Sequence, residues 1–119
     1  MKRDMDLARS ILLEIEAHEG PNAPSSIEIE GYTKEEVNYH LGLLYNAGFI
    51  DAHEMNMARG TRYIAKNLTW EGHEFLDAAR NETVWNNTKE AAKQYGGSIP
   101  LELIKGLLMK AASSYLGLG

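Results

Sequence analysis

The sequence predicts an α+β chain dominated by helices, and two observations carry that prediction. Apolar residues recur at three- and four-residue steps along most segments, while a single stretch in the middle alternates apolar and polar residues around a glycine. Residues 4–18 set Met5, Ala8, Leu12 and Ile15 on one stripe that Ile11 widens, with Glu14 and Glu16 off it, so an amphipathic helix is expected first. The glycine, prolines and serines of EGPNAPSS end it in a loop. In SIEIEGY, Ile27 and Ile29 alternate with Glu28 and Glu30, which predicts a short half-buried strand closed by Gly31.

A second helix starts at Thr33. TKEE has the form of a capping box, in which the threonine side chain accepts from the amide of Glu36 and the glutamate reaches back to the amide of Thr33. Val37, Leu41 and Leu44 line one face, Ala47 extends it, and Gly48 is placed for a left-handed stop. Phe49 and Ile50 lead into two strands around a tip near Arg59 and Gly60, with imperfect alternation and an open register. Thr69 then caps a helix through Phe75, Leu76 and Ala79 in spite of Gly72, with Trp70 expected to seal the joint. A further helix is expected from about Thr83 to Tyr95. Two glycines break it, and Ser98 caps a last helix with Pro100 in its first turn.

Helix, strand, helix, two-stranded ribbon and helices is the order of a winged helix-turn-helix-like domain with a β-hairpin wing and a C-terminal helical extension. The segment before the capping box is too rich in glycine, proline and β-branched residues for the ordinary second helix of a helix-turn-helix, so that helix is expected to be shortened or absent. With 119 residues and 44% hydrophobic content, one domain is expected: a winged-helix core over 1–80 and an extension over 81–119. The wide stripe of Leu101, Ile104, Leu107, Leu108, Ala111, Tyr115 and Leu116 in the last helix is an expected dimerisation element, which makes a homodimer the expected assembly.

Three stretches, MKRDMDLARSILLEIE, GYTKEEVNYHLGLLYNAGFIDA and LTWEGHEFLDAARNETVWNNTKE, together resemble the family called domain of unknown function 2513 over nearly the whole chain. The resemblance implies a setting in bacteria, mostly Gram-positive, and in their phages and prophages. It implies no mechanism, because the biochemical role of that family is not established. VNYHLGLLYNAGFI also resembles the recognition helix of winged helix repressors, with Val37, His40, Leu41, Leu44, Ala47, Gly48, Phe49 and Ile50 in the matching places. Those repressors often carry serine or arginine at the two exposed positions that are Asn38 and Tyr39 here.

Composition limits the function. Net charge is −5, which argues against diffuse binding to nucleic acid but leaves room for a local basic face. On the presumed recognition helix, Lys34, Asn38, Tyr39 and Gly42 are expected to face outward, with Asn38 able to pair with an adenine edge and Tyr39 able to touch phosphate or a thymine methyl. Lys34 against Glu35 and Glu36 leaves residues 33–47 at −1, whereas Arg59, Arg62 and Lys66 against Asp51 and Glu54 leave 51–67 at +1. The wing is the stronger electrostatic candidate. Two partner classes follow: double-stranded DNA, bound through the helix starting at Thr33 and the wing near Arg59, or a host or phage protein docked on the same scaffold.

Other chemistry finds little support in the residues. No cysteine is present, which removes disulfides, thiolate zinc sites and cysteine nucleophiles and fits a reducing cytoplasm. His18, His40, His53 and His73 form no pair at metal-ligand spacing, so neither a metal nor another cofactor is expected; His40 is expected at the margin of the core. YGGSIP looks like a phosphate loop but is explained by a helix stop followed by a cap, and no nucleophile elbow or zinc-binding helix motif occurs. No catalytic residues and no enzymatic activity are expected. Trp70, Trp85 and Tyr95 could stack on bases, but their places in helices favour packing. The charged N-terminus is unlike a signal peptide, and no stretch has the length of a membrane-spanning helix.

Overall fold

The computed structural model describes residues 1–20, 26–93, 105–108 and 110. The element order is α1 (Met5–Ala17), α2 (Lys34–Asn46), β1 (Ile50–Met57), β2 (Gly60–Leu68), α3 (Trp70–Ala79) and α4 (Glu82–Lys93), with residues 105–108 and 110 also helical. This is a helix-rich α+β chain with one two-stranded antiparallel hairpin among the described residues. It divides into two compact units, Met1–His73 and Glu74–Gly119, with the boundary inside α3.

In the first unit, α1 packs against α2 and β2, and α2 packs against both strands. The core is the apolar stripe of α1, namely Leu7, Ala8, Ile11, Leu12 and Ile15, set against Val37, Leu41, Leu44, Phe49, Ile50 and Leu68. Asp4 caps α1 by accepting from the amide of Leu7 at 3.1 Å. Both halves of the capping box form at α2, from the Glu36 amide to Thr33 Oγ1 at 3.1 Å and from the Thr33 amide to Glu36 Oε1 at 2.9 Å. Gly48 takes φ +81°, the left-handed geometry that lets the chain leave α2 and enter β1 within two residues.

The strand expected over Ile27–Glu30 does not form. Ile27 and Ile29 are half-buried and Glu28 and Glu30 exposed, as alternation requires, yet the segment has no ladder partner among the described residues. Its backbone instead makes a turn, with the Tyr32 amide donating to the Ile29 carbonyl at 3.2 Å. Alternation chooses which side chains turn inward; a strand also needs a neighbour's backbone.

Trp70 does not seal the joint before α3, being 77% exposed. Thr69 does so: its amide donates to the Phe49 carbonyl at 3.0 Å, its hydroxyl donates to the Gly48 carbonyl at 2.6 Å, and it accepts from the Gly72 amide at 3.1 Å. Gly72, a costly residue within a helix, has its reason here, because a Cβ at that position would collide with the Phe49 carbonyl.

In the second unit Phe75, Leu76, Ala79, Val84, Trp85 and Leu108 are buried. Asn81 starts α4 by accepting from the amides of Thr83 and Val84 at 2.8 and 3.1 Å. Trp85 is packed, as its helical position suggests. Of the expected self-association stripe, Leu108 is buried beside Phe75 and Leu107 half-buried. Ser98, Pro100, Leu101, Ile104, Ala111, Tyr115 and Leu116 lie outside the described residues, as does Tyr95. No helix among the described residues is long and apolar enough to cross a membrane.

Candidate nucleic-acid interface

Helix α2 buries two faces. Val37, Leu41 and Leu44 form the stripe that the heptad-like spacing reveals, and Asn38, Gly42 and Tyr45, spaced by four and three residues, form a second. The hairpin covers this second face. Asn38 Nδ2 donates to the Thr61 carbonyl and Asn38 Oδ1 accepts from the Tyr63 amide, each at 2.9 Å. Because β1 is the only strand paired with β2 among the described residues, both groups lie on the edge that β1 leaves open, and one carboxamide satisfies them as the peptide group of a third strand would. One turn further on, Gly42 allows the Tyr63 ring to approach so closely that a Cβ would stand 2.7 Å from it. The ring centroids of Tyr45 and Tyr63 are 5.9 Å apart.

Two expected recognition positions are therefore corrected. Asn38 is half-buried with both ends of its amide engaged by β2, and Gly42 is buried under Tyr63, so neither faces outward. Lys34 is exposed and Tyr39 is 38% exposed, so those two do. The accessible part of α2 narrows to Lys34, Glu35, Tyr39 and Asn46, with Ala47 after it. That face is neither basic nor rich in base-reading groups. Gly42 was the signal that sequence reasoning could have used, since a glycine within a helix is destabilising unless something approaches its backbone closely.

The hairpin pairs Met57 with Gly60 at its tip and Ile50 with Leu68 at its base. Its register shifts between Asp51↔Asn67 and Ala52↔Ala65, which leaves Lys66 as the extra residue of a bulge and accounts for the imperfect alternation. Gly60, at φ +121°, makes the tip turn possible.

Between the hairpin, the start of α2 and residues 26–28 lies an open groove of about 500 Å³. Lys34, Asn38, Arg59 and Arg62 all line it; Tyr39, Gly42 and Lys66 do not. Lys66 lines a separate small hollow with Glu14, His18 and Glu28. The side chains of Lys34, Arg59 and Arg62 make no hydrogen bond or ion pair among the described residues, in contrast with Arg80 on Asp77 at 3.1 Å and Lys93 on Glu90 at 2.8 Å. Three cations thus share one groove without internal partners.

Behind this surface, the joint between α1 and α2 is closed by polar groups that composition alone did not reveal. His40 is buried rather than marginal, at 2% exposure. Its Nε2 accepts from the Asp4 amide at 2.7 Å, so in the neutral ring the proton sits on Nδ1 and is donated to the Glu36 carbonyl at 2.8 Å. Asp4 also accepts from the Tyr32 hydroxyl at 3.0 Å. Burial, followed by that hydrogen bond to the Asp4 carboxylate, raises the Tyr32 hydroxyl above its ordinary pKa. Glu19 Oε1 accepts from the Leu68 amide at 2.9 Å, and His73 lies 3.9 Å from both Glu16 and Glu19. Among the described residues no group of three histidines or carboxylates is placed to hold a metal ion.

Residues 2–98 match the family described as "Hypothetical protein (DUF2513)", a span that takes in α1 to α4 and the whole groove. The chain belongs to that family. It is also similar to a protein of Haemophilus influenzae described as "Uncharacterized protein", at 40% identity over 119 residues, which covers 98% of this chain and 99% of the relative. No solved structure matches. This member of the family thus aligns with a bacterial relative along 98% of its length.

Proposed function

We propose that this protein binds double-stranded DNA on a scaffold of winged-helix type, with Lys34, Arg59 and Arg62 contacting backbone phosphates from the start of α2 and the tip of the hairpin. The observation that carries the reading is the meeting of these three cations in one groove with no side-chain partner among the described residues. Lysine and arginine that lack a carboxylate partner in the protein are available to displace counterions from phosphate. Since Asn38 is engaged by β2, base contact falls to Tyr39, and recognition depends on shape and backbone more than on sequence. The wider reading is a homodimeric regulator in a phage or prophage setting.

Anisotropy titration of the full chain against duplex DNA at low salt tests this. With about three phosphates neutralised, log affinity should fall against log salt with a slope of roughly 0.9 for each. Arg59→Ala combined with Arg62→Ala should weaken all sequences alike and flatten that slope. Absence of binding at low salt, or binding indifferent to the double substitution, removes the proposal. A protein partner is the second reading, favoured by exposed Trp70 and by Met57 at 56% exposure. Such apolar side chains suit a protein surface better than a phosphate backbone.

A further inference from the structure

The floor of the groove differs from its charged lining. Ile27, Val37, Leu41, Met57, Tyr63 and Ala65 contribute its apolar walls, and Asn38 turns both polar ends of its amide into β2 instead of into the opening. A volume of about 500 Å³ lies in the range of small-molecule sites, roughly 300–1,000 Å³, and such sites are mostly apolar with a few placed polar groups. The charged residues lining it are Lys34, Arg59 and Arg62 on one side of the balance and Glu28 and Glu35 on the other, which leaves one positive charge in excess. A nucleic-acid backbone uses only the cations and leaves the apolar walls uncovered.

We propose that the groove is a binding site for a small amphipathic anion, with an apolar body on the walls formed by Val37, Leu41, Tyr63 and Ala65 and a single carboxylate or phosphate head held by the arginines at its rim, Arg59 and Arg62. For a small ligand held wholly inside the groove, the excess of one charge favours a single anionic head, because Glu28 and Glu35 also line it. The apolar volume selects a body larger than a bare anion. Such a ligand engages Arg59 and Arg62, the same groups that contact phosphate in the DNA reading, but its binding does not depend on that reading.

The test is a titration of the full chain with decanoate below its micelle concentration, followed by amide shifts in two-dimensional NMR. Saturable shifts are expected at Val37, Leu41, Tyr63 and Ala65. Decanol, with the same tail and no charge, should bind about tenfold more weakly, and acetate should produce no saturable shift, because the head contributes a charge-assisted hydrogen bond and the tail supplies the rest. Arg59→Ala with Arg62→Ala should reduce decanoate affinity to the level of decanol and leave decanol unchanged. Equal binding of decanoate and decanol overturns the proposal, as do shifts confined to other residues. So does the absence of shifts, the result expected if a second copy or another segment of the chain already fills the groove. With no DNA in the titration, its failure leaves the DNA reading standing, and loss of DNA binding leaves this one.

Discussion

The joint between α1 and α2 and the tip of the hairpin treat polar side chains in opposite ways. At the joint, Asp4, Tyr32 and His40 are bound to one another or to backbone, and His40 is buried with both ring nitrogens occupied. At the tip, Arg59 and Arg62 are exposed and their side chains make no hydrogen bond or ion pair among the described residues. The first arrangement stabilises the fold, because a buried polar group costs free energy unless it is bonded. The second contributes little to stability and leaves charge available to a partner. Asn38 stands between the two: it lines the groove, yet its amide holds the hairpin against α2.

Breaking the joint should have the largest effect. His40→Ala removes the acceptor for the Asp4 amide and opens a cavity, and should lower stability by about 3 kcal/mol, read as a drop in Tm or in the denaturant midpoint. Asn38→Ala should cost about 2 kcal/mol and speed hydrogen exchange at the Tyr63 amide. Asn38→Asp sharpens this case: it keeps an acceptor for Tyr63 but sets an oxygen against the Thr61 carbonyl, so it should not rescue the loss. Either substitution should weaken DNA binding at every site, because Asn38 acts by placing the hairpin.

Tyr32→Phe should cost about 1 kcal/mol near neutral pH through the lost hydrogen bond to Asp4. Its sign with pH is fixed by linkage. The folded phenol ionises above its ordinary value of 10.0, so its contribution is fully present below that value and is lost as pH rises through the higher folded one. Stability of the unsubstituted chain should fall more steeply at alkaline pH than that of the Phe variant, in denaturation curves taken across that range. The smallest effect on stability should come from Arg59→Ala with Arg62→Ala, within about 0.5 kcal/mol. A large loss of Tm in that double variant would place the two arginines with the joint instead of with the tip, and the comparison would fail.

Sequence by itself determined the parts of this protein that depend on neighbours along the chain. The stripe of α1, the Thr33–Glu36 capping box, the Gly48 stop, the Arg59–Gly60 tip and the Thr69 cap are set by periods of 3.6 and 2.0 residues and by backbone groups within a few positions, and all of them are observed. Tertiary structure decided the rest. A single periodic stripe cannot reveal that α2 is covered on two sides, so Asn38 and Gly42 read as outward until the hairpin is placed on them. Ile27–Glu30 alternates like a strand but lacks a ladder partner among the described residues, and Lys66, the extra residue at the register shift, lines a different hollow. The covering of a second helix face and the meeting of Lys34 with Arg59 and Arg62 join residues more than twenty positions apart, and only packing in three dimensions fixes them.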